Sequence, residues 1–283
     1  MTARDLYDGD HDDFGGLQRD LRATGAAMGR RGLLRLAARA GMGVGALQLI
    51  GCGSSPTGAT EAPTSNTSTS TGTGAACTAK VPEETQGPYP ADGSNGPSVL
   101  NSSGVVRSDI RSSFAGLIGT ATGVPLTISL TVVSASTCQP LAGRAIYIWH
   151  CDQGGRYSLY SPGATNQNYL RGVQEADASG RVNFTSIFPA CYSGRWPHIH
   201  FEVYPSLSAA TSVANKSATS QIALPKATCD LVYATAGYEA SVTNLSRVTL
   251  ASDMVFSDGS SLELATIIGS VSSGLTASLT VAV

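Results

Sequence analysis

The segment Cys191-Tyr192-Ser193-Gly194-Arg195-Trp196-Pro197-His198-Ile199-His200-Phe201 concentrates side chains that bind metals and stabilise charge. If a strand begins at His198, His198 and His200 point to one face and Ile199 and Phe201 turn to a core. Two imidazoles side by side on a rigid strand make a metal-binding pair. The chain holds only 4 histidines, so a His-x-His is no accident of composition. Such a pair is often just a satisfied polar pair. Arg195 has an ordinary alternative in a surface salt bridge, and tyrosines usually line cores. A further tyrosine, Tyr157, stands in the run Trp149-His150-Cys151-Asp152-Gln153-Gly154-Gly155-Arg156-Tyr157-Ser158.

The elements that must position these residues read as strands. Leu126, Ile128, Leu130 and Val132 alternate with Thr127, Ser129 and Thr131, the period of a half-buried strand. Residues 145–150, 182–188 and 198–204 are rich in β-branched and aromatic side chains, and 275–283 alternates again. Gly and Pro punctuate the gaps, and no long helical period competes. The expectation is an all-β fold, a β-sandwich core with long loops.

At Tyr157, Tyr192, Arg195 and the His-x-His the sequence resembles the intradiol ring-cleavage dioxygenases. Three further runs are similar to that family in order. They are Glu84-Thr85-Gln86-Gly87-Pro88-Tyr89-Pro90, Leu170-Arg171-Gly172-Val173-Gln174 with Asp177 and Gly180 ahead of the next strand, and Thr219-Ser220-Gln221. The resemblance spans about residues 80 to 235. It implies a site of Fe(3+), ferric iron, held by Tyr157, Tyr192, His198 and His200. Phenolate oxygens are hard anionic donors suited to that hard cation, and zinc sites rarely use tyrosine. It also implies a small aromatic diol and O2 as reactants, with the cut between the two hydroxyls. Tyr192 would be the displaceable ligand and base, Arg195 would steady negative charge, and Gln221 would hydrogen-bond nearby. Tyr89, Tyr147, Tyr160 and Tyr169 are expected in core or pocket wall. Glu202 follows on the same strand face but is outranked by the tyrosines. Competing readings are a metal-binding or inactive extracellular binding module, and a zinc or copper enzyme using the histidine pair alone.

The rest of the chain sets the context. Its 283 residues carry a net charge of −2, with no basic footprint for nucleic acid. Residues 1–52 read as a lipoprotein signal, with Arg30-Arg31 similar to a twin-arginine signal. A short apolar run follows, and Leu49-Ile50-Gly51-Cys52 resembles a lipobox. Residues 53–76 are a Gly/Ser/Thr tether, and 77–283 the folded domain. The expectation is an exported cell-envelope protein that meets the membrane only through a lipid at Cys52. Pairing among Cys77, Cys138, Cys151, Cys191 and Cys229 stays open, a bridge near the metal being one option.

Overall fold

A computed structural model describes residues 79–283. The expected signal (1–52), the tether (53–76) and Cys77 lie outside the described residues.

The described residues form eight strands in two four-stranded sheets. The first sheet has the order β4-β1-β8-β7, built from β1 (Pro125–Val133), β4 (Arg181–Ile187), β7 (Thr266–Ser270) and β8 (Gly274–Ala282). The second has the order β3-β2-β5-β6, from β2 (Ala145–Trp149), β3 (Arg171–Glu175), β5 (His198–Tyr204) and β6 (Ala218–Ala223). Two short helices, α1 (Lys226–Tyr233) and α2 (Glu239–Leu245), follow β6. Five strands were expected, from alternation or from β-branched and aromatic runs, and appear within a residue or so of their expected ends. The run from Leu170 was expected to precede a strand; it is itself β3.

Leu126, Ile128, Leu130 and Val132 of β1 meet Ile146 and Ile148 of β2 and Ile199, Phe201 and Val203 of β5 in one apolar core between the sheets. The alternation of β1 follows from this, because its other face carries the half-exposed Thr127, Ser129 and Thr131. The second sheet does not alternate between buried and exposed. β2 and β5 are buried along their whole length. Their outer face is roofed by loops whose Tyr89, Val99, Leu100, Tyr157 and Tyr192 form a smaller core with Tyr147, Trp149 and Tyr204. A strand covered on both faces has no solvent side, so polar residues on that face must find partners inside the protein.

Cys151, Cys191 and Cys229 are separate buried thiols, so no bridge joins Cys151 to Cys191. Burial pushes the Cys191 thiol up to about 12, which keeps it protonated and unreactive.

Candidate metal centre

β5 runs antiparallel between β2 and β6, setting His200 opposite both Trp149 and Gln221. His198 and His200 project from the roofed outer face and are each 2% exposed. Their Nε2 atoms are 3.1 Å apart. The hydroxyl of Tyr157 lies 3.3 Å and that of Tyr192 3.2 Å from the same His198 Nε2. The residues expected from sequence as ligands are thus gathered at one point. The side-chain oxygens within hydrogen-bond distance of His198 Nε2 are the phenols of Tyr157 and Tyr192.

The donor set fits a cation. His198 Nδ1 lies 2.5 Å from the Trp196 carbonyl, and only an N–H can donate to it. That leaves Nε2 of His198 as a lone pair. Two phenols and the second imidazole crowd that one acceptor, which cannot serve all three as donors. A shared cation with phenolate oxygens removes the conflict. Separations of 3.1–3.3 Å are those of donors about 2 Å from a common centre. Burial, reinforced for His198 by the Arg195 guanidinium, holds both imidazoles well below the usual histidine range. They are therefore neutral and competent as ligands.

Each tyrosine is delivered by a loop with its own fastening. Asp152, 2% exposed, accepts from the backbone N–H groups of Gly154 and Arg156, from the Arg156 guanidinium and from the Tyr169 hydroxyl. That turn leads directly into Tyr157, whose N–H donates to Ser161 Oγ at 2.9 Å. Gly155, at φ +82°, leaves space that a Cβ would take 3.3 Å from Tyr192 Cβ. Tyr192 is fixed through its predecessor. The N–H of Cys191 donates to Ser241 Oγ and its carbonyl accepts from Asn244 Nδ2, both on α2. Tyr157 is 1% exposed and Tyr192 8%, so Tyr192 is the phenol nearer solvent.

Arg195 is not on the surface. It is fully buried, donating through Nε to Asp253 at 3.0 Å and through Nη2 to Gln221 Oε1 at 2.7 Å. Gln221 in turn donates to the Thr85 carbonyl, tying the 84–90 run to β6. Arg171 is likewise buried, but it is consumed by the carbonyls of Tyr89, Pro90 and Ser158 and by the Ser158 hydroxyl. Glu202 stands apart from the tyrosines, accepting from the Tyr204 hydroxyl and from Lys216 Nζ. Tyr89 packs on Tyr157 with ring centroids 4.8 Å apart, and the Tyr160 hydroxyl accepts from the Ala91 N–H. The third histidine of the described residues, His150, is buried, its ring nitrogens paired with the Cys151 carbonyl and Ser186 Oγ.

Sequence reasoning missed Asp152, Ser241, Asn244 and Asp253. Asp152 stands in the run that leads to Tyr157 and the other three stand outside every such run, but short polar residues in a loop-rich chain carry no local mark of burial.

A family model described as "Dioxygenase" matches residues 96–198, which include Tyr157, Tyr192, Arg195 and His198. The chain is similar in structure to an intradiol ring-cleavage dioxygenase from Tetranychus urticae, with a TM-score of 0.58 and 24% identity, covering 72% of this chain and 94% of that one. A second dioxygenase structure, Tetur07g02040, matches at a TM-score of 0.56 and 24% identity over the same shares. The all-β fold is the one those two dioxygenases have.

Proposed function

We propose that this chain is a non-haem ferric intradiol dioxygenase that opens catechol-type diols between their hydroxyls. The observation that carries the proposal is the meeting of two phenol oxygens and the His200 imidazole nitrogen within 3.1–3.3 Å of one buried atom, His198 Nε2. Tyr157, Tyr192, His198 and His200 would hold the iron. Two phenolates favour Fe(III) over Fe(II). When bound, the ferric ion withdraws electron density from a chelated diol and opens its ring to O2.

The chain's own residues do the rest. Tyr192, nearer solvent than Tyr157, would be the ligand that makes way for the diol and would take a substrate proton on its phenolate oxygen. Tyr157, buried and packed against Tyr89, would keep its place. Arg195 presents a fixed positive charge in a dry site, oriented by Asp253 and Gln221, and steadies the charge that develops on the opening ring. The roofing loops exclude water while this happens.

Iron-loaded protein given catechol and O2 is expected to yield cis,cis-muconate, colourless and absorbing in the ultraviolet. A yellow semialdehyde would mean cleavage outside the diol and a carboxylate ligand, with Glu202 the first to re-examine. The catechol derivative preferred in nature is sought by anaerobic titration with catechol, protocatechuate and hydroxyquinol, followed in the visible.

The second part of the proposal is location. Arg30-Arg31, the apolar run and Cys52 occur in the order of an exported lipoprotein signal. Cys52→Ser is expected to abolish lipid attachment, read by detergent partitioning; a Cys52→Ser product still anchored as before would refute it.

A further inference from the structure

The two histidines are held in different ways. His198 has its distal nitrogen bonded to the Trp196 carbonyl. His200 has no such bond: its Nδ1 is buried without a hydrogen-bond partner in the protein. A metal-binding imidazole ordinarily donates from its second nitrogen to a carboxylate, carbonyl or water, which fixes its orientation. What His200 has instead is a ring. Trp149, its cross-strand partner on β2, lies parallel to it, with centroids 4.9 Å apart and planes 2° apart. Trp149 is fully buried, and its own Nε1 likewise has no partner. The indole is therefore not placed there to make a hydrogen bond. Its far neighbour is Tyr147, two residues back on the same strand face, at 5.1 Å and 25°. The Tyr147 hydroxyl donates to the Pro90 carbonyl. A ladder of three rings thus leads from the 84–90 run to His200.

We propose that Trp149 is the positioning residue for His200, with ring stacking taking the place of the hydrogen bond that orients His198. This rests on the reading of the cluster as a ferric site. The histidine pair is then unequal. His198 is clamped by a directional bond, whereas His200 is confined to a plane in which it can still slide. A flat indole face constrains tilt strongly and in-plane translation weakly.

The test compares Trp149→Phe, which keeps an aromatic face, with Trp149→Leu, which keeps apolar bulk without one. Each full-length variant is loaded with ferric iron. Iron affinity is read by chelator competition, the tyrosinate-to-iron absorption band by visible spectroscopy, and folding by melting temperature. The Phe variant is expected to bind iron within about threefold of wild type, and the Leu variant about 10–100-fold more weakly, the usual loss for an outer-shell partner. The band should shift or fade only in the Leu variant. Should Leu fail to fold, Trp149→Met carries the same comparison with a more adaptable side chain. Equal affinities and spectra in Phe and Leu, whether both strong or both weak, overturn the stacking role. Wild-type protein that takes up no ferric iron overturns the reading of the site itself, a result separable from the first because it needs no variant.

Discussion

Arg195 and Asp253 meet with both side chains at 0% exposure, deep beside the histidine pair. A buried ion pair is no great source of stability, since desolvation takes back most of the attraction. Its use here is placement: Asp253 also accepts from the backbone N–H groups of Trp196, Val255 and Phe256, so the carboxylate cannot turn and neither can the guanidinium. Burial has a second consequence, in pH. Burial lowers His150 from 6.5 to about 4. Above pH 6.5 its imidazole is neutral in both states. As pH falls toward 4 the unfolded chain takes up a proton that the folded one refuses, and stability is lost. At about 1.4 kcal/mol per pH unit, that is on the order of 3 kcal/mol at most. His198 and His200 act in the same direction in metal-free protein. Glu202 acts in the opposite one: burial raises it from 4.5 to about 7, so the folded state gains a proton, and stability, as pH falls through that window. Three histidines outweigh one glutamate. Metal-free protein is therefore expected to lose stability between about pH 6.5 and 4, and His150→Asn to flatten that slope. Urea unfolding at several pH values checks it; a variant with the wild-type slope would contradict the assignment.

At the scale of elements, the site is a strand that supplies imidazoles and loops that bring phenols to it. The strand was legible from sequence because Ile199 and Phe201 alternate with the histidines, and a core demands that alternation. The tyrosines were legible only through a resemblance, since nothing local says where a loop tyrosine points. The fastenings were not legible at all. Ser241 and Asn244 lie some fifty residues beyond Cys191, on a seven-residue helix whose buried residues are Ser241 and Leu245. β3, β6 and β7 escaped notice because β3 and β6 are buried on polar as well as apolar residues and β7 is largely exposed. If α2 is a clamp, Ser241→Ala with Asn244→Ala should cost about 1–3 kcal/mol for each backbone group left unpaired. It should also loosen Tyr192 more than Tyr157, seen as a weaker visible band in iron-loaded protein at temperatures where the fold persists. An unchanged band would show that Tyr192 is placed by its own contacts.

At the scale of the whole molecule, two sheets share one core while the second sheet alone carries a roof. Among the described residues no helix is long and apolar enough to cross a membrane. The final strand, β8, is not an ornament at the edge: it lies inside the first sheet, parallel to β1 and antiparallel to β7. Leu126 is opposite Leu275, and Val81, near the start of the described chain, donates its N–H to the Ala282 carbonyl. Pairings of such long sequence separation close slowly, because the intervening chain must first give up its freedom. Consequently no earlier stretch of the described chain completes the sheet, and β1 waits with one edge bare until β8 is made. A chain stopped after Ser273 should show no cooperative melting and should aggregate through that edge, whereas a soluble, cooperatively melting truncate would show that β1 and β4 suffice. Formation of β8 is therefore the step that joins β1 to β7 and completes the first sheet.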